Sequence, residues 1–367
     1  MKYLVGISGG LDSTSAAAML LAEGHHVEGV HLLMHEHSDP TAAQRSADEL
    51  GIRLHIIDCR DDFAKIVKRN FIDNYTCGQT PNPCVVCNRH VKFAALCRTA
   101  QEHGLDKVVT GHYANIAKHP TTGRYAVRRA RDASKDQSYM LWSLTQEQLA
   151  MMHLPLSDSI KAELRRAAQE KQLSVADTEE SMDICFIPDG DYAAYIDRHA
   201  AEALSHSHLE GDEAEMNEGG AKKVFLQGVG DFVDTDGRIL GQHKGIIHYT
   251  VGQRKGLGIA AAHPLYVTQI DAAANRVTLG RKEELLTTEM TLTGLNFQAW
   301  AKPDSDQTTE WELDVRIRYK SPPIPTKVRI VGDTAHVTFP QPTGPITPGQ
   351  SAVFFDGECV AFGGVIG

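Results

Sequence analysis

Short apolar runs and amphipathic stretches alternate through the first hundred residues. Tyr3 to Ile7, Val27 to Leu33, Leu54 to Ile57 and Val108 to Thr110 read as strands. Between them, Ser13 to Glu23, Ala42 to Leu50 and Val91 to His103 carry apolar residues at helical spacing. Gly24, Gly51 and Gly104 stand just past those stretches, where a left-handed residue closes a helix. Strands separated by helices pair in parallel, and such sheets bind ligands at the carboxyl ends of their strands.

From Thr145 to about Ala203 the spacing is mostly helical, interrupted by Pro155 and by the turn at Ile184 to Gly190. Ser205 to Ala221 then holds five acids, no Lys or Arg and little that could enter a core, and reads as a solvated linker. Beyond it come short β-rich runs separated by Gly, Pro and Asp turns: Lys223 to Leu226, Leu265 to Ile270, Arg276 to Leu279, Glu312 to Tyr319, Lys327 to Ile330, Ala335 to Phe339 and Ala352 to Phe355. The expected fold is α/β: an N-terminal parallel-sheet domain with a helical extension, followed by two small β-barrel-like domains. The expected boundaries are 1–205 (helical segment about 145–205), 206–283 for a central small β domain preceded by the acidic linker, and 284–367 for a C-terminal β-barrel, within a chain of 367 residues.

Composition narrows the classes. With 42% hydrophobic and 23% charged residues the chain is neither disordered nor collagen-like. No apolar run reaches the roughly 20 residues of a membrane span, and the N-terminus reads as a strand entering a Gly turn, so a cytosolic protein without a membrane partner is expected. Seven cysteines, an odd number spread over a long chain, argue against a disulfide framework and leave thiols for catalysis or metal binding. The formal net charge of −10 disfavours nonspecific nucleic-acid binding. Yet Lys107 to Gln137 carries seven Lys/Arg against two acids, and Val315 to Arg329 five against none. These stretches suit either a phosphate backbone or a solvated surface.

Two segments carry chemistry. Gly6-Ile7-Ser8-Gly9-Gly10-Leu11-Asp12-Ser13 joins the first strand to the first helix. Its glycines let backbone amides approach an anion, and the helix N-terminus adds oriented donors. The segment lacks the Lys of a Walker loop and the spacing of a dinucleotide fingerprint. If the loop holds a nucleotide with Mg²⁺, Asp12 is expected as the metal-side carboxylate and Ser8 and Ser13 as phosphate donors. The second segment, Thr80-Pro81-Asn82-Pro83-Cys84-Val85-Val86-Cys87-Asn88, sets two thiols in a Pro-stiffened loop before a helix expected to start near Arg89. The helix N-terminus and Arg89, His90 and Lys92 are expected to lower a thiol pKa. No second CxxC completes a zinc site, and a further cysteine, Cys185, lies far along the chain between apolar neighbours.

SGGLDS, TPNPCVVCN with KF following, TGHY at Thr110 to Tyr113, KDQSYML at Lys135 to Leu141, DICFI, GQHKGIIHYTVGQRKGLGI at Gly241 to Ile259 and TPGQSAVFFDGE at Thr347 to Glu358 follow one another along the chain. In that order they resemble the tRNA-specific 2-thiouridylases of the MnmA/TrmU family, within the PP-loop N-type ATP pyrophosphatase superfamily, over nearly the whole chain. The resemblance implies that the first domain is a PP-loop ATP pyrophosphatase domain using ATP and Mg²⁺. It implies adenylation of the wobble uridine of tRNAs for Lys, Glu and Gln, then replacement of oxygen by sulfur. Nucleotide contacts would fall on Gly6, Ile7, Ser8, Gly9, Gly10, Leu11, Asp12 and Ser13, on Leu32 and on Gly111. The catalytic thiol near the base would be Cys87, and Cys185 would carry the persulfide. Asn82, Pro83 and Cys84 match the segment meeting the target base, Cys84 standing where some members have an acid. His112, Lys135, Asp136, Gln137, Arg318, Tyr319 and Gln350 match tRNA-contacting positions. A sulfur-donor protein, such as a cysteine desulfurase or sulfur-relay protein, is the implied second partner. Two readings stay open beside this one: another PP-loop adenylating ligase, and a catalytically degenerate tRNA-binding protein. A third thiolate at Cys84 leaves open a [4Fe–4S] cluster on Cys84, Cys87 and Cys185 in place of a persulfide.

Overall fold

The computed structural model describes residues 1–177, 184–207, 228–304 and 309–367. The run expected at Lys223 to Leu226 and most of the acidic linker lie outside these residues. Strands β1 (Lys2–Gly6), β2 (His26–Leu33), β3 (Leu54–Asp58) and β4 (Lys107–Val109) form a parallel sheet in the order β3-β2-β1-β4, completed by the two-residue strand Met152–His153. Side chains of β1 alternate between two cores, because successive residues of a strand face opposite ways. Leu4 packs with Phe93 and Leu96 on one face, and Val5 with Ala16, Ala17 and Leu20 of α1 (Leu11–Ala22) on the other. Gly24, Gly51 and Gly104 all have positive φ (79°, 66° and 63°), as expected of residues that end helices. The strand order reverses at β1, so the crevice between the ends of β1 and β4 is the switch point where open α/β sheets bind ligands.

Two helices differ from the reading of the sequence. Residues 60–76 form a continuous helix that the pattern did not reveal, with a π-helical middle at Phe63–Lys68. Its buried residues, Phe63, Val67, Phe71 and Tyr75, recur every four positions, and the wider π turn keeps them on one face. The helix expected near Arg89 starts earlier, at Pro83. Asn82 caps it by accepting from the Val85 amide (3.4 Å), and Pro83 takes the first position, where a missing N–H costs nothing. It continues through a π segment, Asn88–Lys92, into Phe93–Glu102. Cys84 and Cys87 therefore sit in the first turns of a helix, not in the loop before it.

The central region holds, among the described residues, a four-stranded mixed sheet in the order Tyr266–Asp271, Arg276–Gly280, Gly230–Val233, Ile239–His243. The parallel pairing of Arg276–Gly280 with Gly230–Val233 makes it mixed. The C-terminal region is a closed six-stranded antiparallel barrel that includes two strands the pattern did not single out, Thr287–Phe297 and Cys359–Ile366, which pair to close it. A hairpin from the first domain, Asn115–Lys118 with Tyr125–Arg128, extends the barrel's sheet where Arg128 meets Cys359. Fully buried Gln298 staples that junction: its amide nitrogen donates to the Leu141 and Trp142 carbonyls (both 2.9 Å), and its oxygen accepts from the Val127 amide (3.0 Å). No helix among the described residues is long and apolar enough to cross a membrane.

Candidate functional site

The glycine loop leaves β1 and turns into α1 beside the segment that leaves β4. At Gly9 φ is +80°, and a Cβ there would lie 2.5 Å from Ala42 Cβ, so this position demands glycine. Ser13 Oγ accepts from the Ser8 amide (3.2 Å) and lies 3.1 Å from Ser8 Oγ, which holds the loop curled. The side chains of Ile7 and Leu11 are buried in the core, so these two residues can offer a ligand only backbone amides. On one side of the loop lies a cavity of about 260 Å³ lined by Gly6, Ile7, Ser8, Asp12, Ser13, Leu32, Met34, Lys92, Gly111 and His112, among others. The expected nucleotide positions at Leu32 and Gly111 thus meet the loop in one pocket.

On the other side is a larger cavity of about 1040 Å³, where Ser8, Gly9, Gly10 and Asp12 face Lys135, Gln137, Lys161, Arg165, Arg316, Tyr319 and Lys320. Asp12 bridges the two. Tyr113 donates its hydroxyl to Oδ1 (2.8 Å), and Lys161 donates to Oδ2 (2.9 Å). Mg²⁺ held mainly by phosphates needs only one or two protein carboxylates, so Asp12 fits that role provided Lys161 is drawn elsewhere. Lys161 and Arg165, one turn apart on the helix Lys161–Glu170, were not found by sequence reasoning; the only signal was their i,i+4 spacing beside buried Leu164 and Ala168 on the same face.

Asp136, read as a tRNA contact, is instead 4% exposed. Its carboxylate accepts from the Ala130 and Ser138 amides (3.1 and 3.2 Å), the Ser138 hydroxyl (2.9 Å) and Arg316 Nη1 (3.0 Å). It anchors the loop that presents its neighbours Lys135 and Gln137. Arg129 is likewise half-buried, with its guanidinium 4.1 Å from the centre of the Phe355 ring, which sets it apart from exposed Arg128 and Arg131.

One of the expected thiols, Cys87, abuts the smaller cavity. Cys87 is buried, and its thiol contacts Met34 Sδ at 3.7 Å, on the wall of the smaller cavity. Cys185 is exposed on a turn whose next residues, Phe186 and Ile187, are buried, Phe186 against Phe63 and Phe71 (5.5 and 5.4 Å). The expected lowering of thiol pKa is not found. Burial pushes the Cys87 thiol up, and Lys92 offsets this only in part. Although Cys185 as a residue is exposed, its thiol loses hydration, and this, then the thiols of Cys87 and Cys84, push it up to about 11. Desolvation outweighs the nearby cations because an anion in low dielectric loses more than a few partly screened charges return. The three thiols sense one another, but among the described residues no three His, Cys, Asp or Glu side chains are gathered so as to hold a metal ion. The donor set in this conformation does not fit a cluster.

His112 lies between Thr110 Oγ1 (2.7 Å) and the ring of Phe93, and burial followed by Lys92 pushes its pKa down to about 3, so it is neutral. Gln350 and Arg318 sit together beside a cavity of about 320 Å³ between the barrel and the cysteine segment. Gln350 donates to the carbonyls of Thr80 and Pro81 (2.9 and 3.3 Å), the Thr80 amide donates to the Pro348 carbonyl (2.8 Å), and Arg318 donates to Thr347 Oγ1 (2.9 Å). The barrel therefore grips the strand of chain that leads to Cys84 and Cys87.

Three family models match in succession: a tRNA methyl transferase HUP domain over residues 1–189, a tRNA methyl transferase PRC-barrel domain over 222–281, and an aminomethyltransferase β-barrel domain over 287–366. A tRNA-specific 2-thiouridylase MnmA of Clostridioides difficile is 38% identical over 381 residues, covering 100% of this chain and 98% of that protein. Proteins of the same name from Syntrophotalea carbinolica (40% identical, 99% and 97% covered) and Nostoc punctiforme (39%, 100% and 98%) match as fully. With a match of this extent, and with the glycine loop, the smaller cavity and the Cys87 thiol meeting at one crevice, the chain belongs to the tRNA-specific 2-thiouridylase family.

Proposed function

We propose that the protein is an ATP-dependent tRNA-uridine 2-sulfurtransferase acting in the cytosol on the wobble uridine, position 34, of tRNAs for Lys, Glu and Gln. The observation that carries this reading is the contact between Cys87 and Met34, which sets a thiol against the wall of a nucleotide-sized pocket at the end of a glycine loop. The smaller cavity takes the AMP half of ATP and the loop amides take the phosphates. Asp12 would hold Mg²⁺ together with those phosphates, and the ion would offset their charge.

The oxygen at carbon 2 of uridine is a poor leaving group. Its attack on the α-phosphate releases pyrophosphate and converts it to a phosphate ester. The terminal sulfur of a persulfide on Cys185, loaded by a sulfur-donor protein, attacks carbon 2, and AMP departs with the oxygen. Cys87 then attacks the Cys185 sulfur, freeing the thiolated base and leaving a Cys87–Cys185 disulfide that an external dithiol reduces. The raised thiol pKa values support a resting state in which both thiols are protonated, activated only once substrate and donor are in place. The basic cavity lined by Lys135, Tyr319 and Lys320, with Arg318 and Gln350 at the barrel, receives the RNA.

The test is mass spectrometry of nucleosides from unmodified tRNA incubated with the protein, ATP, Mg²⁺ and a persulfide donor. Equal amounts of 2-thiouridine and AMP are expected. Thiolation that survives Cys87→Ala together with Cys185→Ala would overturn the reading in favour of another adenylating ligase chemistry, and absence of AMP would leave an RNA-binding protein.

A further inference from the structure

Lys161 holds the loop's carboxylate. Its ammonium lies 2.9 Å from Asp12 Oδ2 and 5.9 Å from the centre of the Tyr113 ring, and the same Tyr113 donates to the other Asp12 oxygen. Its side chain is 15% exposed against 30% for Asp12, so the pair is partly desolvated and the charge is held at a fixed place. The helix that carries it is anchored by Leu164 and Ala168, the latter packed with Leu11 of the glycine loop itself. Lys161 and Arg165 face Gly9 and Gly10 across the larger cavity, whereas neither lines the smaller one. The two cavities thus divide a nucleoside triphosphate: the AMP half against Leu32 and Gly111, the terminal phosphates against Lys161.

We propose that Lys161 is a further catalytic residue that binds the pyrophosphate leaving group, exchanging Asp12 for the β- and γ-phosphates when ATP enters. This rests on the reading that ATP is cleaved between its α- and β-phosphates at this loop. In the nucleotide-free protein Lys161 neutralises Asp12, which keeps a carboxylate at the mouth of an anion site from repelling the incoming phosphates. Once phosphate oxygens displace it, Asp12 is released to meet Mg²⁺. No bond is made or broken by Lys161; it moves between two anionic partners, and its positive charge stabilises the negative charge that gathers on the departing pyrophosphate. A lysine suits this exchange because its ammonium is a compact charge on a flexible stem.

The experiment is calorimetric titration of the full-length protein with inorganic pyrophosphate and, separately, with AMP, each with Mg²⁺ and with a chelator. Lys161→Met is expected to weaken pyrophosphate binding about tenfold or more, as loss of a charge-assisted contact does. Lys161→Arg should stay within about threefold of the unaltered protein, and AMP affinity should be unchanged in both, since Lys161 lies off the AMP cavity. Pyrophosphate bound by the Met variant as tightly as by the unaltered protein, with AMP binding intact, overturns the proposal. Should the Met variant fail to fold, Lys161→Gln keeps a donor for Asp12 while removing the charge, and undiminished pyrophosphate affinity there overturns it equally. A protein that forms AMP from ATP and tRNA while these affinities stay level refutes the role of Lys161 alone; a protein that forms no AMP refutes the cleavage reading beneath it.

Discussion

Gly111 lines the proposed nucleotide pocket beyond the end of β4, and the structure makes its replacement by alanine a graded test of the site. An added Cβ would lie 2.7 Å from Ser13 N, 2.8 Å from Asp12 C and 2.9 Å from Asp12 Cβ. These atoms belong to the first turn of α1 and cannot swing aside, and α1 is itself fixed by Ala16, Ala17 and Leu20, all 0% exposed. Either the helix start or the Thr110–His112 segment must move by about half an ångström, and overpacking of that kind costs about 1–3 kcal/mol. If binding must supply this to restore the pocket, AMP affinity falls by about 5- to 150-fold. Gly10→Ala is the matched control. Gly10 has φ −101° and ψ 165°, its Cβ would meet only Ser8 Oγ at 3.5 Å, and it lines the phosphate cavity, not the AMP cavity. Its AMP affinity should stay within about twofold. Calorimetric titration with AMP, with thermal melting to verify folding, reads both. Gly111→Ala binding AMP as the unaltered protein does, or Gly10→Ala losing as much as Gly111→Ala, would refute the assignment of the two cavities.

The state of the Cys185 thiol can be read by alkylation: with a pKa of about 11, only about a thousandth of it is thiolate at pH 8, so labelling by iodoacetamide in the free protein should be slow and rise with pH until about 11. Labelling that levels off near pH 8 would contradict the desolvation argument. Arg316→Met leaves buried Asp136 without its cation and should lower stability by about 3–5 kcal/mol, measured by denaturant titration. Charge removal at exposed Arg318 or Lys320 should instead flatten the salt dependence of tRNA binding by about one unit of slope each, with the melting temperature unmoved. Cys84→Ala should retain thiolation while Cys87→Ala loses it, measured as 2-thiouridine formed from a persulfide donor.

Much of the nucleotide half was legible because its signals are local. Gly24, Gly51 and Gly104 mark helix ends whichever way the rest of the chain folds, and a glycine loop between a strand and a helix carries its geometry in a few residues. What was missed depended on burial or on distant partners. The helix at 60–76 buries Phe63, Val67, Phe71 and Tyr75, four positions apart among charged and polar neighbours, a sparse stripe that drifts about 40° per step around an ordinary helix and that the π turn brings back onto one face. The thiols were judged by the cations beside them in sequence, whereas burial decides their pKa. Asp136 reads as a surface acid beside Lys135, and only Arg316, supplied by the barrel, makes it a buried anchor. Asn82 and Pro83 did carry a start signal for the cysteine helix, a capping residue followed by a proline, which a reading intent on the thiols passed over.

The hairpin that joins the barrel also orders events during synthesis. Residues 125–128 leave the ribosome long before Cys359, the residue that covers their edge, and at about 5–20 residues per second the nascent first domain carries an uncovered strand for ten seconds or more. An open edge is a template for pairing with other chains. Chains halted before the last barrel strand would therefore be released with this edge bare, and premature termination near the C-terminus should yield aggregates even though the nucleotide pocket itself could already be formed.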